Sequence, residues 1–90
     1  SCEQVHMLHY RFDEAIEWGL RAITLADRLG EVETRVHALN NVGTSLLFDD
    51  RPGGRERMEE SLALALEHGF HDHAARAYTN YAVYAVVSKD

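Results

Sequence analysis

The sequence predicts an all-α chain of about five helices, arranged as stacked helix–turn–helix units. Three observations carry that prediction. Apolar residues recur at spacings of three and four, and no segment sustains the two-residue alternation of a strand. The single Pro and most of the Gly residues fall between those segments, where they act as breaks. Sliding the chain along itself by about 39 residues lays one pair of segments over the next.

Residues 1–9, with Val5 and Leu8 on one side, read as a short helix that lacks its beginning. A break over 11–13 is expected to end it. The next helix spans 12–29, where Phe12, Ile16, Leu20, Ile23, Ala26 and Leu29 fall on one stripe. Asp13 and Glu14 sit in its first turn and Arg28 in its last, the charges that a helix dipole favours at each end. Gly30 is placed to cap it in the left-handed conformation. Val32, Val36, Leu39, Val42 and Leu46 mark a third helix, which ends at the strongest break, Asp-Asp-Arg-Pro-Gly-Gly over 49–54. Met58, Leu62, Ala65 and Leu66 mark a fourth, closed by a break over 69–72. Ala74, Ala77, Tyr78, Tyr81, Ala82 and Ala85 mark the fifth, with Tyr78 and Tyr81 expected in the core and Tyr84 partly exposed.

Ninety residues allow one small domain, whose core stays marginal unless neighbours extend it. The composition, 46% hydrophobic and 27% charged, is that of an ordinary globular protein. A net charge of −6 with the nine basic residues dispersed argues against direct nucleic-acid reading by this segment, which would need clustered Lys and Arg. No apolar run reaches the roughly 18–20 residues of a membrane span, and no secretion signal opens the chain. The lone Cys2 has no internal partner, so nothing points to an oxidising compartment. With Ser1 and not Met at the start, the expectation is a cytoplasmic piece of a larger protein.

The internal repeat gives the prediction its detail. Glu17 meets Glu56, Leu25 meets Leu64, Ala26 meets Ala65, and Gly30 meets Gly69. Ala38 meets Ala77 and Asn41 meets Asn80, while Leu39 and Val42 meet Tyr78 and Tyr81. The identities coincide with the apolar stripe and the helix-ending Gly, as a two-helix repeat requires. Gly19 and Gly43 lie inside helices, where Gly costs about 1 kcal/mol against Ala, so close helix contacts are expected at both.

Ala38-Leu39-Asn40-Asn41-Val42-Gly43 resembles the opening helix of tetratricopeptide repeats. Phe12-Asp13-Glu14-Ala15, with Leu25-Ala26-Asp27-Arg28-Leu29-Gly30, resembles the second helix and its exit. Residues 36–43, 59–66 and 73–80 are similar to the repeat region of large actinobacterial LuxR-type regulators, in which an ATPase module precedes the repeats. A helix-turn-helix domain often follows them. The resemblance implies a short right-handed α-solenoid covering 1–90, with extra residues in the 49–54 turn relative to the usual period of about 34. No phosphate-binding loop is present in the sequence, so the ATPase and DNA-binding parts come from the resemblance alone.

The resemblance also implies a ligand groove lined by the first helix of each pair. That places His37, Asn40, Asn41 and Thr44 on the groove from one repeat, and Arg76, Thr79, Asn80 and Val83 from the next. An Asn amide both donates and accepts, so Asn41 and Asn80 suit a peptide backbone, unless each bridges adjacent helices instead. Arg76 suits a carboxylate, but a full clamp is not expected, because Ser1 and Val5 stand at the first repeat's positions and Asn80 replaces a basic residue.

Metal, cofactor and catalytic roles are not expected. His68, His71 and His73 with Asp72 offer zinc-type ligands but straddle Gly69 and a helix junction, and no Cys joins them. Cys2 is terminal and unsupported as a nucleophile. The expected function is non-enzymatic binding of a protein, a peptide or a small effector, as the sensory part of a transcription regulator. A constitutive scaffold without transcriptional output is the alternative. The open stripe of the final helix is expected to support a homodimer.

Overall fold

The computed structural model describes residues 2–88, with side chains described over 7–88. Ser1 lies outside the described residues, as do the side chains of Cys2, Val5 and His6. Four helices account for nearly all of the rest: α1 (Cys2–Leu29), α2 (Val32–Phe48), α3 (Gly54–Glu67) and α4 (His71–Val87). Among the described residues there is no strand. No described helix is long and apolar enough to cross a membrane.

The count is four and not five because the expected break over 11–13 does not form. Arg11, Phe12 and Asp13 include neither Pro nor Gly, so nothing interrupts the backbone ladder. His9 and Asp13 face each other across that stretch at 3.7 Å, an i,i+4 pair that only a continuous helix makes. At 28 residues, α1 is about 42 Å long at the standard rise, which accounts for the 42 Å long dimension of the molecule. At the other end, α4 begins at His71, two to three residues before the apolar pattern, with Asp72 in its dipole-favoured first turn.

Three related caps set the helix directions. Glu31 N–H donates to Ala26 O at 2.9 Å and Phe70 N–H to Ala65 O at 2.8 Å, each around a left-handed Gly, Gly30 and Gly69. These two caps share one geometry and stand about 39 residues apart. The third uses Asp50 in the left-handed region at φ 56°, with Arg51 N–H donating to Leu46 O at 2.8 Å.

Consecutive helices pack antiparallel, and α2 lies at the centre. Against α1 it buries Val42 and Leu46 around Ile16, with Ile23 beside them. Gly19 makes that approach possible, since a methyl group there would overlap the Val42 side chain. Against α3 the contact is closer still. A Cβ on Gly43 would lie 2.9 Å from Gly54 O, and one on Gly54 would lie 2.8 Å from Gly43 O. Backbone meets backbone there, which only a Gly pair permits. Further along, Ser61 Oγ donates to Val36 O at 2.8 Å in a fully buried contact. Val36, Ala65 and Ala74 form the second core cluster, joining α2, α3 and α4. Burying Val36 and Val42 completely stabilises the fold by about 1.5–3 kcal/mol each.

Among the described residues α1 touches α2 alone, and α4 touches α3 and α2. A closed four-helix bundle would bring α1 against α4, so this is an open row of helices. Contacts between α2 and α4 keep a nearly constant offset: Glu33 with His73, His37 with Arg76, and Asn40 with Asn80. A constant offset means that these two helices run parallel, side by side.

The openness of the row also decides the tyrosines. Tyr78 and Tyr81, expected in the core, are 59% and 36% exposed. Leu39 and Val42 are buried because α2 packs against both α1 and α3. Among the described residues α4 packs on α2 and α3 alone, and Tyr78 and Tyr81 line an open groove with Arg55, Met58 and Leu62 of α3. Tyr84 is half-buried, as expected, with its ring edge against Phe48 at 5.8 Å.

Candidate functional site

The groove residues expected from the sequence divide into a buried network and an exposed stripe. Asn40 is fully buried, facing α3 and α4 and not the open surface. Its Oδ1 accepts from Asn80 Nδ2 and from Thr44 Oγ, each at 3.3 Å, and Asn80 Nδ2 also reaches Thr44 Oγ at 3.3 Å. These three side chains bridge α2 and α4. Asn40 therefore cannot meet a ligand, and Asn80 is committed in part to its neighbours. The helix-bridging role is the one that Asn80 performs here.

The exposed stripe is different. His37, Asn41, Arg76, Thr79 and Val83 are all open to solvent. Asn41 Nδ2 lies 3.3 Å from His37 Nε2 within α2, and Arg76 Nη1 lies 3.0 Å from His37 Nδ1 across to α4. Guanidinium can only donate, so Nδ1 is the accepting nitrogen of a neutral His37 ring. Burial is the main reason the His37 imidazolium is disfavoured, followed by the Arg76 and His73 charges, and the pKa falls below its ordinary value.

Beside this stripe is a cavity of about 480 Å³ between α1 and α2. His37, Asn41, Thr44 and Asn80 line it on one side, and Trp18 with Ala15 and Ala22 on the other. Thr79 and Val83 lie outside it. Trp18 was not among the residues singled out from the sequence. It is 65% exposed, with the Arg21 guanidinium 5.1 Å from its ring centre. Its signal is present in the sequence: a Trp placed off the apolar stripe of its own helix has no core to enter.

The His-rich junction does not gather into a ligand set. His73 Nε2 lies 3.0 Å from Glu33 and its ring 5.6 Å from His37, His68 stacks on Phe70 at 5.7 Å, and His71 is exposed. Among the described residues, the three ligand-type side chains that do converge are His9, Asp13 and Asp49. Arg51 already sits among them, with Nη1 bonded to Asp13 and 3.7 Å from Asp49. That cation answers the carboxylates, and the cluster ties α1 to the end of α2. A second tie is Arg35, which bonds Asp27 of α1 and Glu60 of α3. Hydrogen bonding to Glu60 leads the causes that hold the Arg35 pKa above its ordinary value.

No protein-family model matches the chain, and neither a curated protein nor a solved structure matches it.

Proposed function

We propose that this chain is a non-enzymatic helical-repeat module of the tetratricopeptide kind, a short right-handed α-solenoid that binds an extended peptide or a protein segment. The observation that carries the reading is the split within one helix face. Asn40 and Thr44 lock α2 to α4, while His37 and Asn41, on the adjoining turns, keep their polar atoms at an open cavity. The parallel α2–α4 pair and the matched Gly30 and Gly69 caps support the repeat part of the reading. A backbone-binding role falls to Asn41, whose amide can both donate and accept. Arg76 adds a charge that favours an acidic group or a chain-terminal carboxylate nearby.

Within the LuxR-type regulators that the sequence resembles, such a module would carry a binding signal to attached domains by favouring one array curvature. The reading frame around this segment tests that part. A phosphate-binding loop upstream and a helix-turn-helix downstream support the regulator, and any other surroundings return the module to a scaffold.

Binding itself is tested by selecting displayed peptides on the wild-type chain and measuring fluorescence anisotropy with the winners. Asn41→Ala is expected to weaken binding roughly tenfold, the order of one or two hydrogen bonds, with helix content unchanged. Peptides that bind Asn41→Ala as well as wild type would remove the groove assignment.

A further inference from the structure

The α2–α3 seam is made once inside the molecule, and its two halves recur unpaired at the ends. On α2 the seam presents Val36, Gly43 and Leu47, and on α3 it presents Gly54, Ser61 and Ala65. A shift of about 39 residues carries the α2 half onto Ala75, Ala82 and Val86 of α4, all exposed. The reverse shift carries Gly54 and Ser61 onto Ala15 and Ala22 of α1, one exposed and the other half-buried, and Ala65 onto Ala26, which is already buried, so the open part of this half is its first two turns. Small residues therefore stand where a second seam would need them. From Ala77 to Ser88 α4 carries no charged residue, and Val86 is 76% exposed.

The cavity beside α1 supplies an independent observation. Its α2 wall includes Thr34, Ala38 and Ser45. The same shift carries these onto His73, Ala77 and Tyr84, the α4 residues on the side that meets α2: His73 pairs with Glu33, Tyr84 packs on Phe48, and Ala77 is buried. The cavity thus has one wall like the surface that receives a parallel first helix, and another like the surface that receives an antiparallel one. A helix of the α4 type fits both walls.

From this we infer that a second copy of the chain docks head to tail, its α4 entering the α1–α2 cavity so that Ala82 lies over Ala15 and Val86 beside it. One contact covers the open side of α4 and the open side of α1 together. Because the contact joins two different surfaces, it leaves a free α4 at one end and a free α1 at the other, and the assembly grows without closing. Ala82 and Ala15 each carry a Cβ where Gly43 and Gly54 carry none. The intermolecular seam is therefore wider and weaker than the internal one. The inference rests on the repeat reading proposed above, and because α4 would fill the cavity assigned there to a peptide, the two occupants compete for it.

The test is sedimentation of the whole chain with two substitutions at exposed positions, Ala15→Arg on the cavity wall and Ala82→Arg outside the cavity. Wild type is expected to rise steadily in mean mass over a roughly hundredfold range of concentration, through dimers and beyond. Each variant alone is expected to stay at the monomer mass of 10.2 kDa, and an equimolar mixture to stop at a one-to-one dimer, because each variant keeps one good surface. Wild type that stays monomeric throughout overturns the inference and leaves the α4 face to a different partner. So does Ala15→Arg protein that associates as wild type does, which would mean that α4 pairs with α4. Circular dichroism checks that both variants keep their helix content. Peptide binding by monomeric Ala82→Arg protein reads the groove separately, so the two proposals fail apart.

Discussion

The α2–α3 seam and the outward sides of α1 and α4 carry residues that a shift of about 39 positions lays over one another, yet they differ in how much each demands of its residues. In the seam, Gly43 and Gly54 bring two backbones within a distance that excludes a methyl group. At the ends, Ala15 and Ala82 face open space. A position's place in the helix does not itself confer burial; the neighbouring helix does, and among the described residues α2 packs against α1, α3 and α4. The sharpest way to break that comparison is to put the same residue at both places. Gly43→Val is expected to cost about 3 kcal/mol or more, since the branch meets Gly54 O and Met58 N, both backbone atoms that cannot turn away. Ala82→Val, its counterpart, is expected to change stability by no more than about 0.5 kcal/mol. Urea unfolding of the two variants, at concentrations low enough to keep them monomeric, measures the difference. Similar losses at both would mean that the ends are as constrained as the centre.

A smaller effect sharpens the comparison within the candidate site. Asn80 holds Asn40 and Thr44, while Asn41 only lies beside an exposed imidazole on its own helix. Asn80→Ala is therefore expected to cost about 1 kcal/mol, from lost hydrogen bonds and a buried Asn40 that keeps one fewer partner. Asn41→Ala is expected to stay within about 0.5 kcal/mol. If the two cost the same, the split between structural and ligand-facing amides is wrong.

How much of this could be read beforehand follows from what kind of signal each feature leaves. The caps at Gly30 and Gly69 and the close approaches at Gly19 and Gly43 were legible, because Gly in those places has a local cost that only geometry repays. The continuity of α1 was misread at Arg11–Asp13, where charges in a first-turn pattern resembled a start but lacked any breaker. Tyr78 and Tyr81 were assigned to the core by analogy with Leu39 and Val42, and the analogy held for helix face but not for cover. For the site, the resemblance placed all eight candidates on α2 and α4, and six of them, the buried Asn40 included, share one hydrogen-bonded network or cavity rim. It could not separate Asn40 from Asn41, which differ by a turn of about 100° and hence by complete burial. Trp18 leaves a signal, its place off the apolar stripe, but the cavity it lines is formed by two helices whose spacing no single stripe encodes.

The smallest expected effect concerns His37, which lies where the structural and exposed halves of the site meet. Arg76 donates to its Nδ1 at 3.0 Å, the His73 ring lies 5.6 Å away, and Glu33 faces His73 and not His37. Adding a proton to His37 replaces an accepted hydrogen bond with two like charges. Its folded pKa is accordingly below its ordinary value of 6.5, through burial first and the Arg76 charge second. The sign follows from linkage. Above about pH 6.5 the ring is neutral in both folded and unfolded chains and contributes nothing against folding. As pH falls below that value the unfolded chain takes up the proton first, and stability is lost down to the folded pKa. The fall in Tm between about pH 7.5 and pH 5.5 is therefore expected to be smaller in His37→Gln than in wild type. Arg76→Gln separates the two causes: the His37 resonance should titrate at a higher pH than in wild type, yet still below 6.5, because the larger cause, burial, is untouched. A His37 that already titrates at 6.5 in the wild-type chain would mean that neither burial nor the Arg76 charge acts on the ring as described.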